Sequence, residues 1–243
     1  MPLRRHAQRL ARRALGPAHP GALRRWRRLQ SAHRARRVRT ITRDFAAWHG
    51  LTVSGGPFAG LTYPDASATS LVPKLLGVYE RELHPAIEAA VAAAPERIVN
   101  VGAADGYYAV GLARRCPAAK VTAYEADAEQ RALLTRVAAA NGVELEIEGT
   151  AERLPELAGL VVVDCEGCEH ALLDPAGLRS ATVIAELHDF VAPADALIAR
   201  FEPTHAVTVI PTGAQPPHRG SALDLALSEY RPGPMRWAVM TPQ

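Results

Sequence analysis

The sequence RIVNVGAADGYYAVGLARRCPAAKVTAYEAD, at residues 97–127, predicts a strand, a glycine-bearing turn, a helix and a second strand. Gly102 and Gly106 allow the turn to pass close to a ligand, and the helix from 107 to 115 directs its N-terminal amides to the same place. Glu125 lies 19 residues after Gly106, at the tip of the second strand. This pattern is typical of a nucleotide-binding βαβ unit, in which the acid binds the ribose hydroxyls.

The details of the turn argue against a dinucleotide ligand. A dinucleotide site prefers G-x-G-x-x-G, in which three glycines admit a pyrophosphate onto the helix terminus. Here the turn is Gly102-Ala103-Ala104-Asp105-Gly106, with alanine at the middle glycine position and an acid where it would repel a pyrophosphate. The turn therefore favours a ligand without phosphates, such as S-adenosylmethionine, and disfavours an NAD-dependent dehydrogenase.

Two further apolar segments end in acidic or histidine residues. Residues 160–170, LVVVDCEGCEH, and residues 181–190, ATVIAELHDF, each combine a predicted strand with such side chains at its carboxyl end. Ligands of open α/β sheets bind beyond the carboxyl ends of the strands, so we expect these side chains to meet in one crevice. They are Asp164, Glu166, Glu186, His188 and Asp189.

On these segments the chain resembles the class I S-adenosylmethionine-dependent methyltransferases, and within them the FkbM-type family. The matching motifs are VNVGAADGYYAVGLA (99–113), YEAD (124–127), the Asn-Gly pair at 141–142, VDCEGCEHALL (163–173) and ELHDF (186–190). The resemblance covers residues 55–210 and implies methyl transfer to a small hydroxylated metabolite or sugar-like group. Two positions depart from the family pattern: Asn100 replaces the usual acid, and Ala104 stands where glycine is frequent.

The resemblance and the strand-end pattern together assign two groups of residues. The expected cofactor-binding residues are Asn100, Gly102, Ala103, Ala104, Asp105, Gly106, Tyr107, Glu125, Ala126, Glu152 and Asp164. The catalytic candidates are Asp164, Glu166, His188 and Asp189. Methyl transfer mainly requires that the protein align the acceptor and remove its proton, for which imidazole has a suitable pKa. Asp189 could orient His188 or bind the substrate directly, whereas Glu166 and Glu169 could instead cap the helix that begins near Cys168.

The sequence does not decide whether the protein uses a metal ion or its cysteine thiols. Asp164 with Glu186 or Asp189 would place carboxylates at neighbouring strand ends, where some O-methyltransferases bind magnesium, but the sequence does not show whether these groups meet. Cys165 and Cys168 form a C-x-x-C pair, but without a second pair a zinc or redox site is disfavoured. Three cysteines fit a reducing compartment, so no disulfide is expected.

Charge divides the chain into a basic arm and an acidic body. Residues 1–43 contain 14 arginines and no lysine or acid, and the other 14 Lys and Arg residues share the remaining chain with all 25 acids. The length of 243 residues, with 48% apolar residues, suits one α/β domain. We expect a disordered or partly helical arm at 1–43, a helical lead-in segment at 44–96 and a cofactor-binding domain at 97–243.

The basic arm leaves several partners open. It could neutralise nucleic-acid phosphates, lie on an anionic membrane surface or fold against the acidic body. It also resembles an organellar transit peptide, although no membrane span is present and a cytoplasmic protein is expected. An RNA methyltransferase that uses the arm as a clamp is therefore an alternative to a small-molecule enzyme. A catalytically silent binding module is a second alternative, motivated by Asn100 and Ala104.

Apolar periodicity predicts a Rossmann-like, doubly wound, mostly parallel seven-stranded sheet with helices on both faces. Helices are expected at 80–94 and between each pair of the first five strands. The Pro/Gly-rich segment 211–220 is expected to form a substrate-selecting loop, and Lys74 and Tyr79 to form a lid or to pack the lead-in helix. The predicted strands lie near 97–102, 120–125, 144–148, 160–165, 181–187, 205–210 and 235–240, the last being antiparallel as the resemblance implies.

Overall fold

A seven-stranded sheet lies at the centre of the computed structural model, which describes residues 20–189, 191–213, 221–229 and 235–243. The strands follow the order β3-β2-β1-β4-β5-β7-β6. Neighbouring strands are parallel except that β7 runs antiparallel to both β5 and β6. The strands are β1 (Arg97–Val101), β2 (Lys120–Tyr124), β3 (Glu146–Glu148), β4 (Ala158–Val163), β5 (Ser180–Leu187), β6 (His205–Pro211) and β7 (Arg236–Pro242). The predicted fold class and the antiparallel last strand are confirmed.

Helices and connecting segments cover both faces of the sheet. The helices are α1 (Pro20–His49), α2 (Leu71–Leu76), α3 (His84–Ala92), α4 (Tyr107–Arg115), α5 (Ala128–Ala140), α6 (Glu169–Leu172), α7 (Ala194–Phe201) and α8 (Ala222–Ala226). Because side chains alternate along a strand, Ile98 packs into one core on the side of α2 to α5, while Val99 packs into a second core with α6 and α7.

One predicted helix is absent and another is shorter than expected. Residues 149–157, between β3 and β4, are not helical, because Pro155 removes an amide donor and its ring obstructs the preceding turn. The helix expected at 80–94 begins instead with a 3₁₀ turn at Arg81–Leu83, and α3 ends at Ala92. The prediction of a helix between the third and fourth strands was therefore wrong.

Part of the basic arm belongs to the long helix α1, which runs through the expected boundary at residues 43 and 44. Its side chains are exposed from Ala32 to Arg37, whereas Thr42 and Ala46 are buried where α1 packs beside α2 and α8. Among the described residues, no helix is both long enough and apolar enough to cross a membrane. Residues 1–19 of the predicted arm and 214–220 of the predicted loop lie outside the described residues.

Candidate active site

The pairing of three parallel strands places the residues of the predicted crevice side by side. Val163 of β4 pairs with Val101 of β1 on one side and with Ala185 of β5 on the other. The next residues along these strands are Gly102, Asp164 and Glu186. Parallel strands end at the same edge of the sheet, so the glycine turn, Asp164 after β4 and Glu186 near the end of β5 are adjacent.

The glycine turn after β1 approaches the neighbouring strand closely. Gly102 has φ +74°, and a Cβ atom at this position would lie 1.6 Å from the carbonyl oxygen of Asp164. Gly106 has φ +92° and precedes α4. Between them, Ala104 also adopts a left-handed conformation, with φ +46°, although alanine pays a steric cost there that glycine avoids. Ala103 is buried.

Glu125 lies beside this turn, as the sequence predicted for a ribose-binding acid. Its Oε2 accepts the Ala104 amide at 2.8 Å, and its Oε1 accepts the Asp127 amide at 2.7 Å. The side chain is only half-buried, and each carboxylate oxygen keeps a second lone pair for a ligand hydroxyl. Ala126 is exposed next to it. These hydrogen bonds hold the acid against the turn.

Asp105 faces the protein interior rather than the ligand side of the turn. Its Oδ2 lies 2.5 Å from Lys74 Nζ in an ion pair that is almost completely buried. Its Oδ1 accepts the Tyr107 amide at 3.3 Å. Contrary to the expectation from the sequence, Asp105 is not placed to repel a pyrophosphate, because Lys74 neutralises its charge. Lys74 also lies 4.9 Å from the ring centroid of Tyr79, which favours packing of the lead-in segment over a lid.

Two further predicted cofactor residues have buried polar atoms available for a ligand. Asn100 Nδ2 donates to the carbonyl oxygen of Val162 at 3.2 Å, whereas its buried Oδ1 has no hydrogen-bond partner among the described residues. An amide oxygen of this kind can accept a hydrogen bond from an ammonium group. The buried Tyr107 hydroxyl likewise has no partner within the described part of the chain. Glu152 is exposed in the loop after β3.

Histidine and carboxylates form a cluster at the ends of β4 and β5. His188 Nδ1 lies 2.7 Å from Oε1 of Glu169, and both side chains are buried. His188 Nε2 faces three more carboxylates: Asp164 Oδ1 at 3.7 Å, Glu166 Oε2 at 3.5 Å and Glu186 Oε2 at 3.5 Å. We call these five residues the acid–histidine cluster.

The cluster changes the proton affinity of its members. Burial and the Glu186 carboxylate raise the pKa of Asp164 well above its usual value. Burial lowers the pKa of His188, but the Glu169 hydrogen bond and the surrounding carboxylates outweigh it, so the net pKa is raised. Burial raises the pKa of Glu169, yet its hydrogen bonds to His188 and Gly167 leave it lowered overall. The cluster therefore favours the protonated imidazole and the ionised Glu169, whereas Asp164 keeps its proton to higher pH than an ordinary aspartic acid.

A tight turn between β4 and α6 shapes the cluster. Glu166, with φ +56°, and Gly167, with φ +114°, both adopt left-handed conformations. This turn brings Cys165 and Cys168 together in a disulfide with a Cα–Cα distance of 5.5 Å, which is ordinary for such a bond. The expectation of no disulfide was therefore wrong, since two residues three positions apart meet when the chain reverses between them.

Asp189 lies outside the acid–histidine cluster, unlike the other catalytic candidates. Its carboxylate accepts hydrogen bonds from Arg236 of β7, the shorter at 2.8 Å, and from the Ala194 amide at 3.2 Å. The Arg236 guanidinium lowers the pKa of Asp189. Asp164, Glu166 and His188 meet as predicted, but Glu169 rather than Asp189 contacts the histidine.

Sequence reasoning missed two residues of this region. Glu169 was considered only as a helix cap, although its Oε1 accepts the amides of Cys165 and Gly167, both at 3.3 Å, besides contacting His188. Glu80 is buried, accepts a hydrogen bond from Tyr108 and contributes to the raised pKa of Asp164. No sequence signal identified Glu80, because it lies far from the strand ends along the chain.

No protein-family model matches this chain, and no curated protein matches it. Solved structures that it resembles include the O-methyltransferase TomG of Streptomyces achromogenes in complex with SAM, with 15% identity, a TM-score of 0.45 and coverage of 63% of this chain and 77% of TomG. An O-methyltransferase of Bacillus cereus in complex with SAH has 13% identity, a TM-score of 0.43 and coverage of 63% and 78%. Precorrin-6y C5,15-methyltransferase of Geobacter metallireducens has 12% identity, a TM-score of 0.45 and coverage of 64% and 87%. At these identities the similarity concerns the fold.

Proposed function

We propose that this protein is an S-adenosylmethionine-dependent methyltransferase of the FkbM type that methylates a hydroxyl group of a small metabolite or sugar-like molecule. One observation carries the proposal: Glu125 accepts the Ala104 amide of the glycine turn, at the same sheet edge as the acid–histidine cluster. A ribose-binding acid and a group of proton acceptors then face one crevice, which is what methyl transfer requires.

The residues around the glycine turn fit the cofactor. Glu125 would bind the ribose hydroxyls, the turn from Gly102 to Gly106 would hold the amino-acid end, and Asn100 Oδ1 would accept from the ammonium group. In this last role Asn100 would stand in for the acid that is usual at its position, because an amide oxygen can accept the same hydrogen bond without a charge. S-adenosylmethionine supplies a methyl group on a sulfonium centre, which is a good leaving group. The protein then has to align the acceptor and take its proton.

The acid–histidine cluster is the region proposed to receive the acceptor hydroxyl. Its carboxylates can accept a hydrogen bond from the hydroxyl, and Glu169 holds the His188 ring in one orientation. Four carboxylates within 3.7 Å of one imidazole would repel an anionic acceptor. An uncharged hydroxylated molecule therefore fits better than a phosphorylated one.

The first test is thermal unfolding of the full chain with and without S-adenosylmethionine or its demethylated product. Ligand at about 100 times its dissociation constant should stabilise the wild type by about 2.7 kcal/mol, a shift of about 5–10 °C for this chain length. Glu125→Ala should remove the shift. Glu146→Ala, which removes an exposed acid on β3, serves as the control and should retain it. A folded wild type without any shift would contradict the enzyme and favour a silent binding module.

An RNA methyltransferase is the second candidate, and helix α1 is the observation that favours it. Arg36, Arg37 and Arg39 are exposed on α1, where they could contact phosphates. The prediction is RNA binding whose affinity falls steeply with salt, with a slope of about 0.7 per phosphate contact. Replacing these three arginines by alanine should reduce both the affinity and the slope. Salt-independent binding, or equal binding by the triple variant, would remove this candidate.

A further inference from the structure

The surroundings of His188 differ from those of an ordinary buried histidine. Its Nδ1 is held by Glu169 at 2.7 Å, so its Nε2 is directed at the opposite side. There it meets Asp164, Glu166 and Glu186 at 3.5–3.7 Å. These separations are longer than the usual length of an N–H···O hydrogen bond, about 2.7–3.2 Å. Even a protonated imidazole supplies one positive charge against four carboxylates.

The spacing of these atoms suits a shared cation. Asp164, Glu186 and His188 each offer one ligand atom, and these three atoms lie within 4.8 Å of one another. Two ligand atoms at about 2.1 Å from one ion lie about 3 Å apart at a right angle and about 4 Å apart on opposite sides. The distances from His188 Nε2 to Asp164 and Glu186, 3.7 Å and 3.5 Å, fall between these limits. We propose that Asp164, Glu186 and His188 bind a divalent cation.

Two independent features support a ligand at this place. Asp164 Oδ1 is buried and has no hydrogen-bond partner among the residues that the structure describes. A second carboxylate behind the histidine is the usual outer partner of a metal-bound imidazole, since it fixes the tautomer and leaves the other nitrogen for the ion. Glu169 occupies that position. The Asp164 side chain is 32% exposed, which provides a route for entry from the crevice.

The donor set selects the kind of ion. Carboxylate oxygens favour magnesium and manganese, and an imidazole ligand shifts the preference toward a transition metal. Mn²⁺ therefore matches the site best, and Asp189, bound to Arg236, is not a ligand. The functional role rests on the proposed function: a cation here would stabilise negative charge on the acceptor oxygen. The acceptor proton would then pass to Glu166, whose side chain is 83% exposed.

The test measures Mn²⁺ binding to the chelator-treated full chain without cofactor, from the electron paramagnetic resonance signal of free Mn²⁺. We expect one ion per chain. Glu186→Gln and His188→Ala should weaken binding at least tenfold, and Glu169→Gln by about 10–100-fold through the histidine. Asp189→Asn is the matched control and should bind like the wild type. Absence of Mn²⁺ binding by the folded wild type, or equal binding by Glu186→Gln, would overturn the proposal.

Two further measurements separate this proposal from its alternatives. Glu186→Gln should raise the melting temperature of the metal-free chain, because it removes one of several repelling carboxylates, while losing stabilisation by Mn²⁺. A melting temperature unaffected by Mn²⁺ in both proteins would count against the site. Glu125→Ala should keep Mn²⁺ binding while losing the cofactor shift. Mn²⁺ binding without any cofactor binding in the wild type would uphold the metal site and refute the proposed function.

Discussion

Glu169 shows how one buried side chain can serve several neighbours at once. Its Oε1 accepts hydrogen bonds from His188 and from the amides of Cys165 and Gly167. Because His188 follows β5 directly and the two amides lie in the turn after β4, a single carboxylate joins the two strand ends that form the cluster. A buried donor that loses its acceptor costs about 1–3 kcal/mol.

Glu169→Ala should therefore destabilise the chain by about 3 kcal/mol or more, because it leaves several donors unsatisfied. Glu169→Gln keeps an acceptor oxygen at nearly the same place and should cost clearly less. Urea unfolding of the chelator-treated protein, followed by circular dichroism, measures both free energies. Equal losses in the two variants would show that the charge, rather than the acceptor, holds the turn.

Gly102 and Gly142 illustrate two different reasons why a position in the chain favours glycine. Both have positive φ, +74° and +64°. A Cβ atom at Gly102 would meet the Asp164 carbonyl oxygen at 1.6 Å, whereas one at Gly142 would meet nothing within 4 Å. Gly142→Ala should cost about 1 kcal/mol from the left-handed backbone alone. Gly102→Ala should cost more than about 3 kcal/mol, because backbone must also move. Similar unfolding free energies for the two variants would contradict the close approach.

Among the elements, α2 is joined to the glycine turn by the buried Lys74–Asp105 ion pair. Asp105 also accepts the Tyr107 amide at the start of α4, and Tyr63 and Thr69 approach it at 3.5 Å. The lead-in segment thus supports the turn from behind. Breaking a buried pair leaves an uncompensated charge, which is far more costly than breaking an exposed one.

Lys74→Met should destabilise the protein by about 3–5 kcal/mol, because Asp105 then remains buried without its partner. The double variant Lys74→Met with Asp105→Asn should recover part of this loss. Lys120→Met is the control, since the Lys120–Glu146 pair is exposed, and it should cost less than about 1 kcal/mol. Chemical denaturation of the wild type and these three variants supplies the comparison. No recovery in the double variant would mean that packing of the lysine stem, rather than charge, is lost.

For the whole molecule, helix α1 divides into an exposed basic part and a docked part. Ala46 is buried in the core on the side of α2 to α5, and Phe45 packs against that core. The exposed turns before Val38 show no such packing from Ala32 onward. The sheet-containing fold and the basic extension are therefore expected to separate near residue 40.

Removal of residues 1–37 should leave the melting temperature within a few degrees of the full chain, since the described side chains that it removes, from Ala32 to Arg37, are exposed. Removal of residues 1–49 should lower it markedly, because the contacts of Phe45 and Ala46 with the core are lost. Differential scanning calorimetry measures both. A large loss of melting temperature in the shorter deletion would show that residues 1–37 contribute to the stability of the folded domain.

The sequence by itself determined the seven strands, the glycine turn and the position of Glu125, and all but one of the helices expected between the first five strands, because these depend on local periodicity and on motif spacing. It also predicted that Asp164, Glu166 and His188 lie close together, since strand ends in a parallel sheet share one edge. Tertiary structure alone decided that Asp105 faces Lys74, that Asp189 faces Arg236 and that Glu169 holds His188. The direction of an acid depends on which cation or amide other elements bring near it, and that information is distributed along the chain.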